Sequence, residues 1–134
     1  MSRQPVLWVL VVDGSRARVV MPDLVEGNFR TTLTLGTAEY PHEPPPLRDD
    51  GYRARAHSFA AEVGERLSDE ARSGAFDQLV LVGPGHVVHD VRMHLSKLAA
   101  SFVVGTIMHD FSRLNDRDLS PHLAQWWLAP AEMA

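Results

Sequence analysis

The sequence predicts an α/β domain: a largely parallel sheet covered by helices on both faces, with an antiparallel hairpin added at its start. Three observations carry this prediction. Val6–Val12 and Gln78–Val82 are apolar runs of strand length, too continuous for strands with one wet face, and Phe102–Met108 is a further strand-length segment. Helical periodicity fills the intervals between the later runs. Asp13-Gly14, set between two apolar runs, is a hairpin signal.

The elements follow in order. Val6–Val12 is the first strand, and Ala17–Met21 returns beside it with Arg16 and Arg18 on one side of the pleat. Glu26-Gly27-Asn28 turns into Phe29–Leu35, whose alternation puts Phe29, Thr31, Leu33 and Leu35 on one face. Thr37–Tyr52, TAEYPHEPPPLRDDGY, reads as a long irregular loop because its prolines interrupt both helix and central strand. Loops of that length in a small domain are commonly functional or mobile. From about Arg53, Ala56, Phe59, Ala60, Val63, Leu67 and Ala71 recur at helical spacing, with Gly74 as the stop. Gly83-Pro84-Gly85 turns the Gln78–Val82 strand into a helix with Val88, Val91, Leu95 and Leu98 on one face. After the strand Phe102–Met108, a helical turn is expected near Asn115–Leu119. Ser120 then reads as the N-cap and Pro121 as the first residue of a short helix through Gln125-Trp126-Trp127.

Composition narrows the function. A chain of 134 residues makes one domain, spanning 1–134, with a real core. It has no cysteine, which removes disulfides, thiolate metal sites and cysteine nucleophiles. Net charge is −4, Lys97 is the sole lysine, and both signs are spread along the chain, so no basic block marks a free-standing nucleic-acid binder. The first apolar run is short and lacks a cleavage signal, and no run reaches membrane-spanning length. A cytoplasmic protein without membrane contact is expected.

VLVVDGSRARVV, HSFAAEVGERL, FDQLVLVGPGHVVHDVRMHL and VGTIMHDFSRLNDRDLSPHL together resemble the bacterial host attachment family, over almost the whole chain. That family is itself similar to the middle domain of eukaryotic and archaeal class I peptide chain release factors. The resemblance implies a three-layer α/β/α domain of ribonuclease-H-like architecture with a mixed five-stranded sheet. In the release factors a Gly-Gly-Gln loop lies between the third strand and the long helix and enters the peptidyl-transferase centre. The corresponding segment here, Thr37–Tyr52, has neither a Gly-Gly pair nor a glutamine. The resemblance therefore implies binding without peptidyl-tRNA hydrolysis, with a ribosome or RNA as the partner and residues 37–56 as the contact.

The remaining chemistry is weighed residue by residue. Asp13 and Asp110 end strands where a two-metal nuclease would place acids, with Asp116 and Asp118 nearby; turn geometry explains Asp13 equally simply and is the favoured reading. His86, Asp90 and His94 share a helical stripe, read as a solvated face opposite the apolar residues. Gly83-Pro84-Gly85 is read as a tight turn and not a phosphate cradle, since no lysine adjoins it. No catalytic residue, metal or cofactor is assigned. The candidate binding residues are Asp13, Arg16, Arg18, His42, Arg48, Arg53, Arg55 and His57, the arginines offering bidentate contacts to an anion. Arg53 and Arg55 project together only if the helix starts after them. Trp126-Trp127 either packs the last helix on the core or marks a homodimer contact.

Overall fold

The computed structural model describes residues 5–36 and 49–126, with backbone only for 49–55. Its centre is β1 (Leu7–Val12), in which all six residues are buried. β1 pairs antiparallel with β2 (Arg16–Asp23), and β2 with β3 (Asn28–Gly36). On its other side β1 runs parallel to β4 (Gln78–Val82), and β4 parallel to β5 (Val103–Ile107). The sheet is thus mixed, five-stranded and open, in the order β3-β2-β1-β4-β5. This is the α/β fold class read from the sequence.

Alternation along the strands sorts the core into two layers. Trp8, Leu10, Val12, Ala17, Val19, Leu79 and Leu81 face α1 (Asp49–Arg72), α2 (Gly85–Met93) and α3 (Lys97–Ser101). Leu7, Val9, Val11, Val20, Val80 and Val82 face Leu119 of α4 (Asp116–Leu119) and Leu123 of a 3-10 turn (Ser120–Leu123). On the first face Phe59, Ala60, Val63 and Leu67 of α1 pack against Val87, Val88 and Val91 of α2. Phe76 stacks on Trp8 at 4.9 Å and meets Phe102 edge-on at 5.8 Å, closing the lower end of that layer. Gly64 permits the helices to touch: a Cβ there would lie 2.7 Å from His94 Cβ and 2.9 Å from the Val91 carbonyl.

Both edge strands contain a bulge, and each changes what faces where. In β3, Leu33 pairs with Val19 but Thr31 with Val20, leaving Thr32 as the extra residue. Leu33 and Leu35 therefore face α1, whereas Phe29 packs with the α4 layer and Thr31 bonds to Asp116 of α4. The single face expected for Phe29, Thr31, Leu33 and Leu35 is corrected by that one residue. In β5, Val103 pairs with Leu79 and Gly105 with Val80, so Val104 is the extra residue. Gly105 is thereby turned to the α4 side, where the Trp126 indole fills the space of a Cβ, 2.5 Å from its ideal position.

Several local expectations change. α1 begins at Asp49, not near Arg53, because the prolines end at Pro46 and two aspartates favour a first helical turn. Its end follows the expectation: Gly74 has φ +83°, with Ala75 N–H donating to Glu70 O and Gly74 N–H to Ala71 O, a Schellman close. The helix after β4 is broken at Met93 and restarted by Ser96, whose hydroxyl accepts from Ala99 N–H. Leu98 falls beyond the break and is 46% exposed instead of lying on the core face. Ser120 does not cap the final turn, since its hydroxyl accepts from Phe29 N–H and donates to Asp116 O.

Candidate binding surface

At the carboxyl ends of β1, β4 and β5 lie the Asp13 turn, Gly83-Pro84-Gly85 and the Met108–Asp110 segment. Asp13 Oδ1 accepts from the N–H groups of Ser15 and Arg16, each at 2.8 Å, and Asp13 N–H donates to Arg16 O. Its carboxylate closes the turn from within, as a short acceptor side chain does when it precedes exposed N–H groups. Asp110 repeats the device, accepting from Ser112 N–H at 3.0 Å and Ser112 Oγ at 2.6 Å. Those bonds, with the nearby Arg113 charge, hold the Asp110 carboxyl below its usual range. Among the described residues, no three histidine or carboxylate side chains gather as a metal set. Gly83 stands where a Cβ would lie 2.4 Å from Val12 O, so close strand packing explains that glycine.

Arg16 and Arg18 share a side of β2, yet their settings differ. Arg16 is exposed. Arg18 reaches under the loop after β5: its guanidinium donates to Ser112 O at 3.3 Å and to Leu114 O, and its Nε lies 3.5 Å from Asp116 Oδ1. Asp116 in turn accepts from Thr31 N–H at 2.7 Å and from Thr31 Oγ1. Arg18 is engaged inside the chain, holding residues 112–116 to the sheet. Nothing in the local sequence signals this, because its partners lie about a hundred residues away, as at Leu114 O (|i−j| = 96).

His57 lies well inside α1 and its side chain is 59% exposed, so it neither caps the helix nor enters the core. Its Nδ1 is 3.4 Å from Asp90 Oδ2 of α2, and its ring meets that of His94 edge-on at 5.4 Å. His94 Nδ1 donates to Asp90 O at 2.8 Å. The predicted histidine stripe is thus partly an interhelical contact, with His86 and His89 in solvent. His42 and Arg48 lie outside the described residues. Arg53 and Arg55 are in α1, where residues two apart sit about 200° around the axis, so the extended pairing considered for them does not form. Trp126 packs on Gly105 and the α4 layer, and Trp127 lies outside the described residues. No described helix is long and apolar enough to cross a membrane.

Known proteins resemble most of this chain. The crystal structure of the archaeal translation termination factor aRF1 superposes with a TM-score of 0.53 at 14% identity, over 75% of this chain and 29% of that one. A second structure, of an archaeal protein, matches with a TM-score of 0.46 at 11% identity, over 85% of this chain and 33% of the other. The chain therefore spans about a third or less of the length of these structures. No curated protein matches it. A family model matches residues 36–123, from the last residue of β3 through α1, β4, α2, β5 and α4 to Leu123. By that match the chain belongs to bacterial archaeo-eukaryotic release factor family 12.

Proposed function

We propose that this protein is a non-enzymatic binding domain of translation, engaging a ribosome or RNA through residues 37–56 and neighbouring arginines in the cytoplasm. Its likeness to the host attachment family would rest on the same binding role. One observation carries the reading: the release-factor family match begins at residue 36 and runs through this segment into α1. Absence of Gly-Gly-Gln from Thr37–Tyr52 argues for binding without peptide release. Hydrogen bonding of the Asp13 and Asp110 carboxylates within their own turns argues in the same direction.

The test is sedimentation of the purified protein with ribosomes at low and moderate salt. Co-sedimentation that weakens as salt rises, and is lost in Arg53→Ala/Arg55→Ala, is the expected result. Failure to co-sediment at any salt would remove the ribosome from the proposal.

A further inference from the structure

The loop after β5 carries a short ladder of rings. His109 and Phe111 lie nearly parallel, with centroids 5.7 Å apart and planes 19° apart. Phe111 and His122 of the 3-10 turn follow at 4.4 Å and 33°. Phe111, in the middle, packs against the α4 core layer, while His109 and His122 at the two ends are exposed. The order is imidazole, phenyl, imidazole, with the anchored ring inside and the outer rings available to solvent.

This ladder is mounted rigidly. Asp110 closes the turn between its first two rings by accepting from Ser112. Leu114 N–H donates to Phe111 O at 3.0 Å. Arg18 holds Ser112 O and Leu114 O from beneath, and buried Leu119 and Leu123 fix the turn that carries His122. Rings held this way lose little freedom when another flat ring stacks on them. The charges nearby are balanced: Arg113 and Arg117 are exposed, and so are Asp110 and Asp118. With the charges balanced, the flat rings are the distinctive feature: an unpaired base gains a stacking face there, and Arg113 and Arg117 lie on the same segment of chain.

We infer that the His109–Phe111–His122 ladder is a stacking platform for unpaired bases of single-stranded RNA, with Arg113 and Arg117 flanking the backbone. Every base offers a π-face, so such a platform takes single strands with little regard to sequence and rejects duplexes, whose bases are already stacked. This rests on the translation reading above and adds a second contact on a different part of the domain.

The probe is a fluorescein-labelled ten-nucleotide oligoadenylate, free or annealed to its complement, followed by anisotropy with the full chain. Binding of the single strand alone is expected, with only a shallow dependence on salt because stacking carries it. His122→Ala should weaken binding about tenfold, roughly the loss for one stacked base. His122→Phe should retain it, since the ring and not the imidazole nitrogen is required. His109→Ala should act like His122→Ala, and both sites are exposed, so folding is preserved. Equal binding of duplex and single strand, wild-type affinity in His109→Ala/His122→Ala, or no binding of the oligonucleotide would each overturn the inference. Ribosome co-sedimentation with no oligonucleotide binding sinks only the platform. Oligonucleotide binding with no co-sedimentation sinks only the ribosome reading.

Discussion

The two faces of the sheet are covered by different physics. On one, a helix of 24 residues and its α2 neighbour bury a continuous layer of aliphatic and aromatic side chains, closely apposed at Gly64. On the other, the cover among the described residues is one turn of α4 and a 3-10 turn, whose buried anchors are Leu119 and Leu123. That thin cover is tied down by polar contacts: Arg18 to Ser112, Leu114 and Asp116, Thr31 to Asp116, and Phe29 to Ser120. The same ties satisfy the outward N–H groups of Phe29 and Thr31 on the β3 edge. A face closed by area tolerates the loss of any one hydrogen bond. A face closed by a few polar ties depends on each.

The largest effect should come from the thick face. Leu67→Ala, at a fully buried position of α1, should cost about 3 kcal/mol by urea unfolding, within the range for buried leucine truncation. Leu119→Ala should cost nearer 2 kcal/mol, because a one-turn helix can settle into the vacated space while α1 cannot. Equal losses would mean that the two covers are equally rigid. Next, Arg18→Met should cost about 2 kcal/mol, since it keeps an apolar stem but leaves the Ser112 and Leu114 carbonyls without their donor and Asp116 without its neighbouring positive charge. Its amide exchange should rise in residues 110–116 and not in α1; uniform exchange throughout would contradict a local clamp.

A smaller contrast tests the two glycines. Gly64→Ala gains helix propensity, yet its Cβ meets the Val91 carbonyl of α2 and the Cβ of His94 just beyond it, so a net loss of about 1–2 kcal/mol is expected. The nearest atoms to a Cβ in Gly105→Ala belong to the Trp126 ring. That ring can swing outward, so a red shift in tryptophan emission should accompany a smaller loss of stability. The smallest effect is electrostatic. Asp110 has its folded pKa lowered below the usual 3.8, so its contribution is present above that pH and fades as pH falls through the folded value. Asp110→Ala should therefore lower the urea midpoint at pH 7 more than at pH 3; the reverse order would have the sign wrong.

Much of this was legible in the residues because it rests on local periodicity. The continuous apolar runs of β1 and β4 announce strands buried on both faces, and the α1 spacing ending at Gly74 announces a helix and its stop. Asp13-Gly14 is a turn because the aspartate bonds to N–H groups two and three residues on. The candidate site was less legible. Arg16 and Arg18 are alike in sequence, and only the loop after β5, brought over β2, makes one solvent-exposed and the other a clamp. The ring ladder joins residues 109, 111 and 122 across an intervening α4, with no spacing that signals a shared surface.

What the sequence determined by itself is the order and kind of elements, because hydrophobic period and turn chemistry act over a few residues. What only the tertiary structure decided is which face each edge residue serves. One extra residue at Thr32 and one at Val104 reverse the alternation of the edge strands, sending Phe29 and Gly105 to the α4 side. A bulge is fixed by pairing with a partner strand, and the energy that selects it lies in contacts such as Thr31 with Asp116 and Gly105 with Trp126. Those contacts are distant in sequence, so no local window contains them.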